Sequence, residues 1–195
     1  MFSFFKKKHI RIDDRIFINR READFGFFNE VNKLRLDGTV IFILCFFEKT
    51  IGRLQPLFSN SNFIIQNAKN IKKDFVNNNL RKSIQQKQNP IFLFAEHHPH
   101  FDYELSIVTE IEGLCEGNNS SIGFFASLDE PLFQQFGSQK IIELMKSLGI
   151  KENEAISHSI VTTSVVNAQK KIAKKVNDPS EAKSQEEWFS INLPN

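Results

Sequence analysis

Apolar residues follow two periods along the chain, and the two periods alternate. The continuous apolar runs at 39–47, 90–95 and 121–126 are short and rich in Phe and Ile, which is typical of strands covered on both faces. Shorter runs at 15–18 and 62–65 predict two further strands. Helical patterns separate these runs. Repeated strand and helix units predict an α/β fold, with a mostly parallel sheet and helices on both faces.

Three helices are predicted in the first half of the chain. The first ends at Asp37-Gly38, the second covers 48–58 and is interrupted by Pro56 near its end, and a polar stretch at 68–88 forms the third. The first helix has a single apolar face, made of Ala23, Phe27, Val31 and Leu34.

A further amphipathic helix begins near Phe101. Leu105 and Val108 extend its apolar side, together with the flanking Ile107 and Ile111. Its acidic residues are more typical of one solvated helix face than of an acid–base pair, because nothing nearby indicates a perturbed environment. These acidic residues are Glu104, Glu110 and Glu112.

The stretch 124–176 carries the clearest helical signals. One helix covers 138–149, where Ser138 can cap the free N–H groups and Gly149 suits the left-handed position that follows a helix. The next helix places Val161, Val165, Ala168 and Ile172 on one face, and lysines 170, 171, 174 and 175 crowd its last turns. The helix dipole favours cations there, so a solvated helix end is expected, with a partner-binding patch as the alternative.

This stretch resembles one continuous segment of the SecA family, the motor ATPases of bacterial preprotein translocation. In that family the segment joins the second RecA-like nucleotide-binding domain to the helical scaffold. Many matches in one order are more specific than any short motif. The matching residues are Phe124-Phe125-Ala126-Ser127-Leu128-Asp129, Leu132-Phe133, Phe136-Gly137-Ser138, Leu148-Gly149, Glu154-Ala155-Ile156-Ser157-His158 and Asn167-Ala168-Gln169-Lys170-Lys171-Ile172.

The resemblance extends, less specifically, over most of 14–176. Together with the composition of the two ends, it divides the chain into four parts. They are an N-terminal segment (1–13), a RecA-like α/β domain (14–126), a helical extension that packs on it (127–176), and a linker with an aromatic tail (177–195). Asp14–Phe17, Val40–Ile43, Glu48-Lys49-Thr50 and Asn67-Ala68-Lys69 carry this weaker similarity.

The chemistry of such motors has no counterpart in this sequence. The family's Gly-Arg-Gly-Thr-Asp segment is missing between Asn70 and Pro90, and 101–119, where its arginine-rich motif should lie, contains no arginine. Those arginines stabilise charge on the transferred phosphoryl group. No Gly-x-x-x-x-Gly-Lys-[Ser/Thr] loop occurs either. The resemblance is therefore to a degenerate motor domain, and we expect neither bound nucleotide nor ATP hydrolysis.

Composition is that of an ordinary globular chain. The 195 residues are 41% hydrophobic and 25% charged, with a net charge of +2, which gives no reason to expect a nucleic-acid partner. No apolar run approaches the roughly 20 residues of a membrane span, so no stable membrane insertion is expected. Met1–Lys8 places aromatics before lysines, and a locally packed N-terminus is favoured over contact with an anionic membrane surface. Cys45 and Cys115 are expected as reduced thiols of a cytoplasmic protein.

A histidine-rich loop follows the strand at 90–95. In Glu96-His97-His98-Pro99-His100-Phe101-Asp102, the residues His98, His100 and Asp102 imitate the start of a metallo-hydrolase motif, and zinc is the metal they would take. Tyr103 stands where another histidine belongs. A polar loop that caps the next helix is favoured, so no metal or catalytic residue is assigned. A glutamate and a histidine also follow this strand in the SecA-like interpretation. For the isolated His9 and His158 we expect surface or capping roles.

The end of the chain combines a predicted linker with a short segment rich in aromatic residues. Residues 177–184 read as a linker, and Trp188, Phe189 and Leu193 follow as candidate partner-binding residues, although docking on the chain's own domain is slightly favoured. The sequence predicts a non-catalytic, SecA-like module that binds a protein partner, a Sec translocase component being one candidate. It would lie in the cytoplasm or peripherally at the inner membrane. The alternatives are a metal-dependent hydrolase and a nucleotide sensor that does not hydrolyse.

Overall fold

A parallel sheet forms the centre of the chain, as the alternating pattern predicts. The computed structural model describes residues 10–37, 39–59, 63–73, 89–115, 119–147, 149 and 151–194. The strands are β1 (Ile10–Arg11), β2 (Arg15–Phe17), β3 (Ile41–Cys45), β4 (Ile65–Asn67), β5 (Ile91–Phe94) and β6 (Ser121–Ser127).

The strand order places the most apolar strands at the centre. β1 and β2 lie one after the other along β6, and the sheet continues through β5 and β3 to β4, with every one of these pairings parallel. The outer side of β2 is partly covered, because the backbones of Ile16 and Ile156 exchange two hydrogen bonds of 2.8 and 2.9 Å. Covering an edge in this way removes unpaired backbone groups that would otherwise recruit another chain.

Helices connect the strands and extend beyond the last one. They are α1 (Arg20–Leu36), α2 (Glu48–Leu54), α3 (Phe101–Leu114), α4 (Pro131–Gln134), α5 (Ser138–Ser147), α6 (Ser159–Ala173) and α7 (Gln185–Asn192), with short 3₁₀ turns at Gln55–Phe58 and Ala68–Asn70.

In the described part of the chain, side chains cap four of the α-helices. Each of these four accepts a hydrogen bond from a backbone N–H of the first helical turn, which satisfies a donor that the helix itself leaves unpaired. Gly149 takes the left-handed conformation predicted for it, with φ of 73°. The capping residues are Asn19, His100, His158 and Ser184, at the starts of α1, α3, α6 and α7.

The sheet separates two apolar cores. On one face, α1 and α2 bury Phe27 and Leu54 against the strands. On the other face, α3, α6 and α7 pack over a row of stacked rings, in which Phe94 lies between Phe46, at 5.1 Å, and Phe124, at 4.6 Å. Offset ring stacking adds to the free energy gained by burying these large side chains.

Several element boundaries differ from the predicted ones. The strand predicted at 62–65 lies at Ile65–Asn67, and of the helix predicted at 68–88 only its first residues are described. Met1–Lys8 and His9 lie outside the described residues. The face predicted for α3 is displaced by one position, because Leu105 is 46% exposed whereas Glu104 is buried. The prediction of a solvated Glu104 is therefore wrong.

Residues 177–184 contact α2 and the 3₁₀ turn after β4, and they lead into α7. The sequence did not predict this helix. The Lys49 N–H donates to the carbonyl of Lys183, and Lys69 forms an ion pair with Glu181 at 3.2 Å. Cys45 and Cys115 are free, buried thiols. No helix among the described residues has the length and apolar character needed to cross a bilayer.

Candidate functional site

Buried polar side chains are concentrated near the carboxyl ends of the strands. Loops at this edge are where parallel α/β folds place ligands, because several strand ends meet there. Nine of the buried polar residues that the structure describes are charged, histidine or glutamine side chains, and they come from six segments of the chain. They are Asp14, Glu96, His97, His98, His100, Glu104, Glu130, Gln169 and Gln185.

Glu96 ties the end of β5 to the start of α2. Its Oε1 accepts the backbone N–H groups of Phe46 and Phe47, both at 2.9 Å, and its Oε2 accepts the Thr50 hydroxyl at 2.5 Å. Burial raises the pKa of Glu96 to about 7, and these hydrogen bonds oppose the rise only in part. Glu96 therefore fixes the loop that follows β3 and is only partly ionised near neutral pH.

The raised pKa of Glu96 makes folding stability depend on pH. Between pH 4.5 and about 7 the unfolded chain releases this proton while the folded chain keeps it, so the stability of the wild type falls as pH rises. Glu96→Gln preserves the shape and removes the titration. Relative to wild type, the variant should gain roughly 3 kcal/mol of unfolding free energy over this pH window. Urea denaturation at several pH values measures the difference.

The exposed Glu48 supplies a matched control for this measurement. Glu48→Gln changes the same functional group at the start of α2, where the side chain is in solvent, and it should leave the pH profile unchanged. If Glu96→Gln and wild type give parallel profiles, Glu96 is not the buried acid described above.

His97 lies between two buried carboxylates. Its Nδ1 is 3.1 Å from Glu104 Oε2, and its Nε2 is 3.5 Å from Asp14 Oδ2. Burial alone would lower the pKa of His97, but the charges of Glu104 and Asp14 outweigh it and raise the pKa to about 10. The ring also stacks on Phe124 at 4.6 Å. His97 is therefore a positively charged core residue that links the start of β2, the end of β5 and α3.

His98 lies in an aromatic environment and is neutral. Its ring contacts those of Tyr103, Phe47 and Trp188, with centroids 4.4, 5.5 and 5.8 Å away. Burial lowers the pKa of His98 to about 3. Its Nδ1 accepts the backbone N–H of His100, which leaves the proton on Nε2.

The three residues weighed as metal ligands have separate surroundings. His100 caps α3 through Nδ1, and its Nε2 donates to the carbonyl of Val176 at 2.8 Å, so both ring nitrogens are engaged. Asp102 is an exposed residue in the first turn of α3. Within the described part of the chain, no group of three or more His, Cys, Asp or Glu side chains is arranged to hold a metal ion. Capping by His158, predicted from the sequence, is confirmed.

Two buried glutamines from the C-terminal helices donate hydrogen bonds to the loops of this edge. Gln169 of α6 donates from Nε2 to the His98 carbonyl at 2.7 Å and to Glu104 Oε2 at 2.9 Å. Gln185 of α7 donates from Nε2 to the His97 carbonyl and to Glu130 Oε2, both at 3.0 Å. Buried polar groups are costly unless they are paired, so α6 and α7 are integral to the edge.

The aromatic end of the chain docks on this same edge. Trp188 is 1% exposed and Phe189 is 7% exposed, and both belong to the core above the sheet, while the partly buried Leu193 packs against it. Between the sheet and residues 179–183 there remains a cavity of about 240 Å³, with His98 and Trp188 among its lining residues. The three candidate partner-binding side chains thus contact their own domain.

The sequence analysis did not predict this polar network. Asp14, Glu130, Gln169 and Gln185 come from four distant segments, and no local spacing relates them to His97. The available signal was polar residues at helical positions otherwise facing the sheet, such as Gln169 one position after Ala168.

Fold and site together define a class of protein: a RecA-like α/β domain whose carboxyl sheet edge is filled by its own C-terminal helices. Comparison with curated proteins identifies a SecA-like region within it. A 57-residue segment is 47% identical to a protein translocase subunit SecA from Acidithiobacillus ferrooxidans (strain ATCC 53993 / BNL-5-31). The corresponding identities are 42% for that of Geobacter sp. (strain M21) and 44% for that of Buchnera aphidicola subsp. Schizaphis graminum (strain Sg).

The similarity covers only a small part of this chain and of each relative. The aligned segment is 29% of this chain and 6% of each of these three relatives, so the chain matches only a small part of their length. No protein-family model matches the chain. The resemblance to SecA predicted from the sequence is confirmed for this partial region.

Proposed function

We propose that this chain is a non-catalytic, SecA-like module that binds a protein partner in preprotein translocation. The partner is a component of the Sec translocase, and the chain acts in the cytoplasm or at the cytoplasmic face of the inner membrane. The similarity of one segment to proteins named protein translocase subunit SecA supports the link to translocation.

The main support for a non-catalytic role is that the chain's own C-terminal helices occupy the carboxyl edge of the sheet. In parallel α/β proteins this edge is where ligands bind. Here Gln169 and Gln185 hydrogen-bond its loops, and Trp188 covers them. The sequence also has no arginine in 101–119 and no phosphate-binding loop. Both features favour a retained binding surface over a retained motor.

A pull-down with the tagged full chain from native cytosol and membranes tests the proposal. We expect Sec translocase components to be enriched, by quantitative mass spectrometry, over a tagged, unrelated α/β protein of similar size and charge. The purified chain should show no ATP hydrolysis above buffer. The full chain is the appropriate bait, because removal of residues after Val176 would delete Trp188 and Phe189 from the core.

Two results would contradict the proposal. Enrichment of no Sec component from either fraction would remove the link to translocation. The second result is hydrolysis of many ATP molecules per molecule of purified chain. Loss of that activity in a variant of the carboxyl edge would show that the module is catalytic.

A further inference from the structure

A groove with lysines along its rim lies beside the last turns of α6, away from the carboxyl edge. The two residues after α4, the end of α6 and the residue after α7 meet there and leave a space of about 350 Å³. We call it the lysine groove. Its apolar walls are Phe136, Ile172 and Leu193, and its rim carries Lys171, Lys174 and Lys175.

The apolar walls of the lysine groove are only partly used by the chain's own core. Ile172 is buried at its base, Leu193 packs against the core from one side, and Phe136 is 41% exposed. A phenylalanine ring left this open retains apolar surface that a further side chain could cover. A space of about 350 Å³ is at the small end of ligand pockets and suits one or two large side chains.

The charge of the rim has one sign. Among the described residues, no carboxylate forms an ion pair with Lys171, Lys174 or Lys175. Lys170, on the same helix, points elsewhere and lies over the Phe101 ring at 4.7 Å. Three lysines within five residues exceed what the C-terminal helix dipole neutralises, since that dipole corresponds to about half an elementary charge.

We propose that the lysine groove binds an acidic peptide segment with an apolar anchor. The anchor, a leucine or phenylalanine, would lie over Ile172 between Phe136 and Leu193, and flanking carboxylates would pair with the three lysines. This inference rests on the proposed function and names the chemistry of its partner. The concave shape favours a peptide over an anionic membrane, because a membrane-binding surface must project its apolar side chains outward.

Binding of a synthetic acidic peptide to the full chain tests the inference. The probe carries a central Leu-Phe pair flanked by aspartates, with a fluorophore at one end. Two matched probes replace either the Leu-Phe pair by Ser-Ser or the aspartates by asparagines. We expect fluorescence anisotropy to show binding of the first probe alone. The affinity should weaken as salt is raised, because exposed charges are screened.

Charge reversal locates the binding site. The variant with Lys171→Glu, Lys174→Glu and Lys175→Glu should weaken binding by about tenfold or more. The control variant, with Lys33→Glu, Lys73→Glu and Lys151→Glu, makes the same change of net charge at exposed positions outside the lysine groove and should bind as wild type does. Phe136→Ser should weaken binding without changing the charge. Thermal melts confirm that each variant is folded.

The possible outcomes separate this inference from the proposed function. Equal weakening by both triple variants, or binding to phosphatidylserine vesicles with none to the peptide, overturns the lysine groove as a peptide site. If the wild type and the groove variant enrich the same Sec components, the proposed function stands and the inference falls. If the groove variant loses the peptide but no bait enriches a Sec component, the inference stands and the proposed function falls.

Discussion

Replacing Trp188 by alanine should destabilise the whole chain, by about 3–5 kcal/mol of unfolding free energy. The indole is 1% exposed, touches His98 and Phe189, and belongs to the core above the sheet. Its removal would leave a cavity beside His98 and Phe189, and a closely packed core relaxes only partly around such a cavity. Urea denaturation followed by circular dichroism measures the loss.

Ile191 provides the control on the same helix. It is 47% exposed, so Ile191→Ala should cost well under about 1 kcal/mol. The contrast between the two variants tests whether α7 docks on its own domain in solution. Equal midpoints for Trp188→Ala and wild type would mean that α7 is detached, and the three aromatic-tail residues would again be free to bind a partner.

The second large effect is expected at His97. His97→Ala should cost about 3–5 kcal/mol, because it leaves the buried carboxylates of Asp14 and Glu104 without the cation that lies between them. Chemical denaturation at pH 6 gives this value. His158→Asn is the control, since it changes an exposed histidine and retains a side chain able to cap α6.

The effect of His97 depends on pH in a defined direction. Its pKa in the folded chain is raised from 6.5 to about 10, so the stability due to its proton is complete below pH 6.5 and declines as pH rises toward 10. The stability difference between wild type and His97→Ala should therefore shrink in that range. A difference that stays constant from pH 6 to pH 10 would show that His97 is uncharged in the core.

The retained proton on His97 and the filled carboxyl edge have one structural origin. A buried, charged histidine is stable only beside carboxylates, and buried carboxylates in turn require hydrogen-bond donors. Glu104 obtains them from the His98 backbone and from Gln169 of α6. The segment beyond the sheet therefore supplies a hydrogen bond to the carboxylate beside His97 and contributes to the apolar core as well.

Local patterns in the sequence are sufficient for much of this fold. Continuous apolar runs identify β3, β5 and β6, because a strand covered on both faces has no polar side to interrupt it. The spacing of Ala23, Phe27 and Val31 identifies α1, and Gly149 marks the end of α5 through its positive φ. The order of residues in 124–172 was enough to indicate SecA, as the comparisons confirm for a partial region.

Only the tertiary structure decided which polar residues are buried. Glu104 was predicted in solvent, and Gln169 was noted only as part of the SecA-like match. Both are buried, because α6 packs on α3 and the two side chains hydrogen-bond to each other. The prediction of a linker at 177–184 likewise gave no indication that α7 returns to the sheet edge. The hydrophobic period of an element indicates which of its faces is apolar. Hydrogen-bond partners, in contrast, can lie 148 positions apart in the sequence, as do the Asp14 backbone N–H and the Thr162 hydroxyl. The spacing of residues in the sequence does not predict such contacts, because only folding brings the two residues within hydrogen-bond distance.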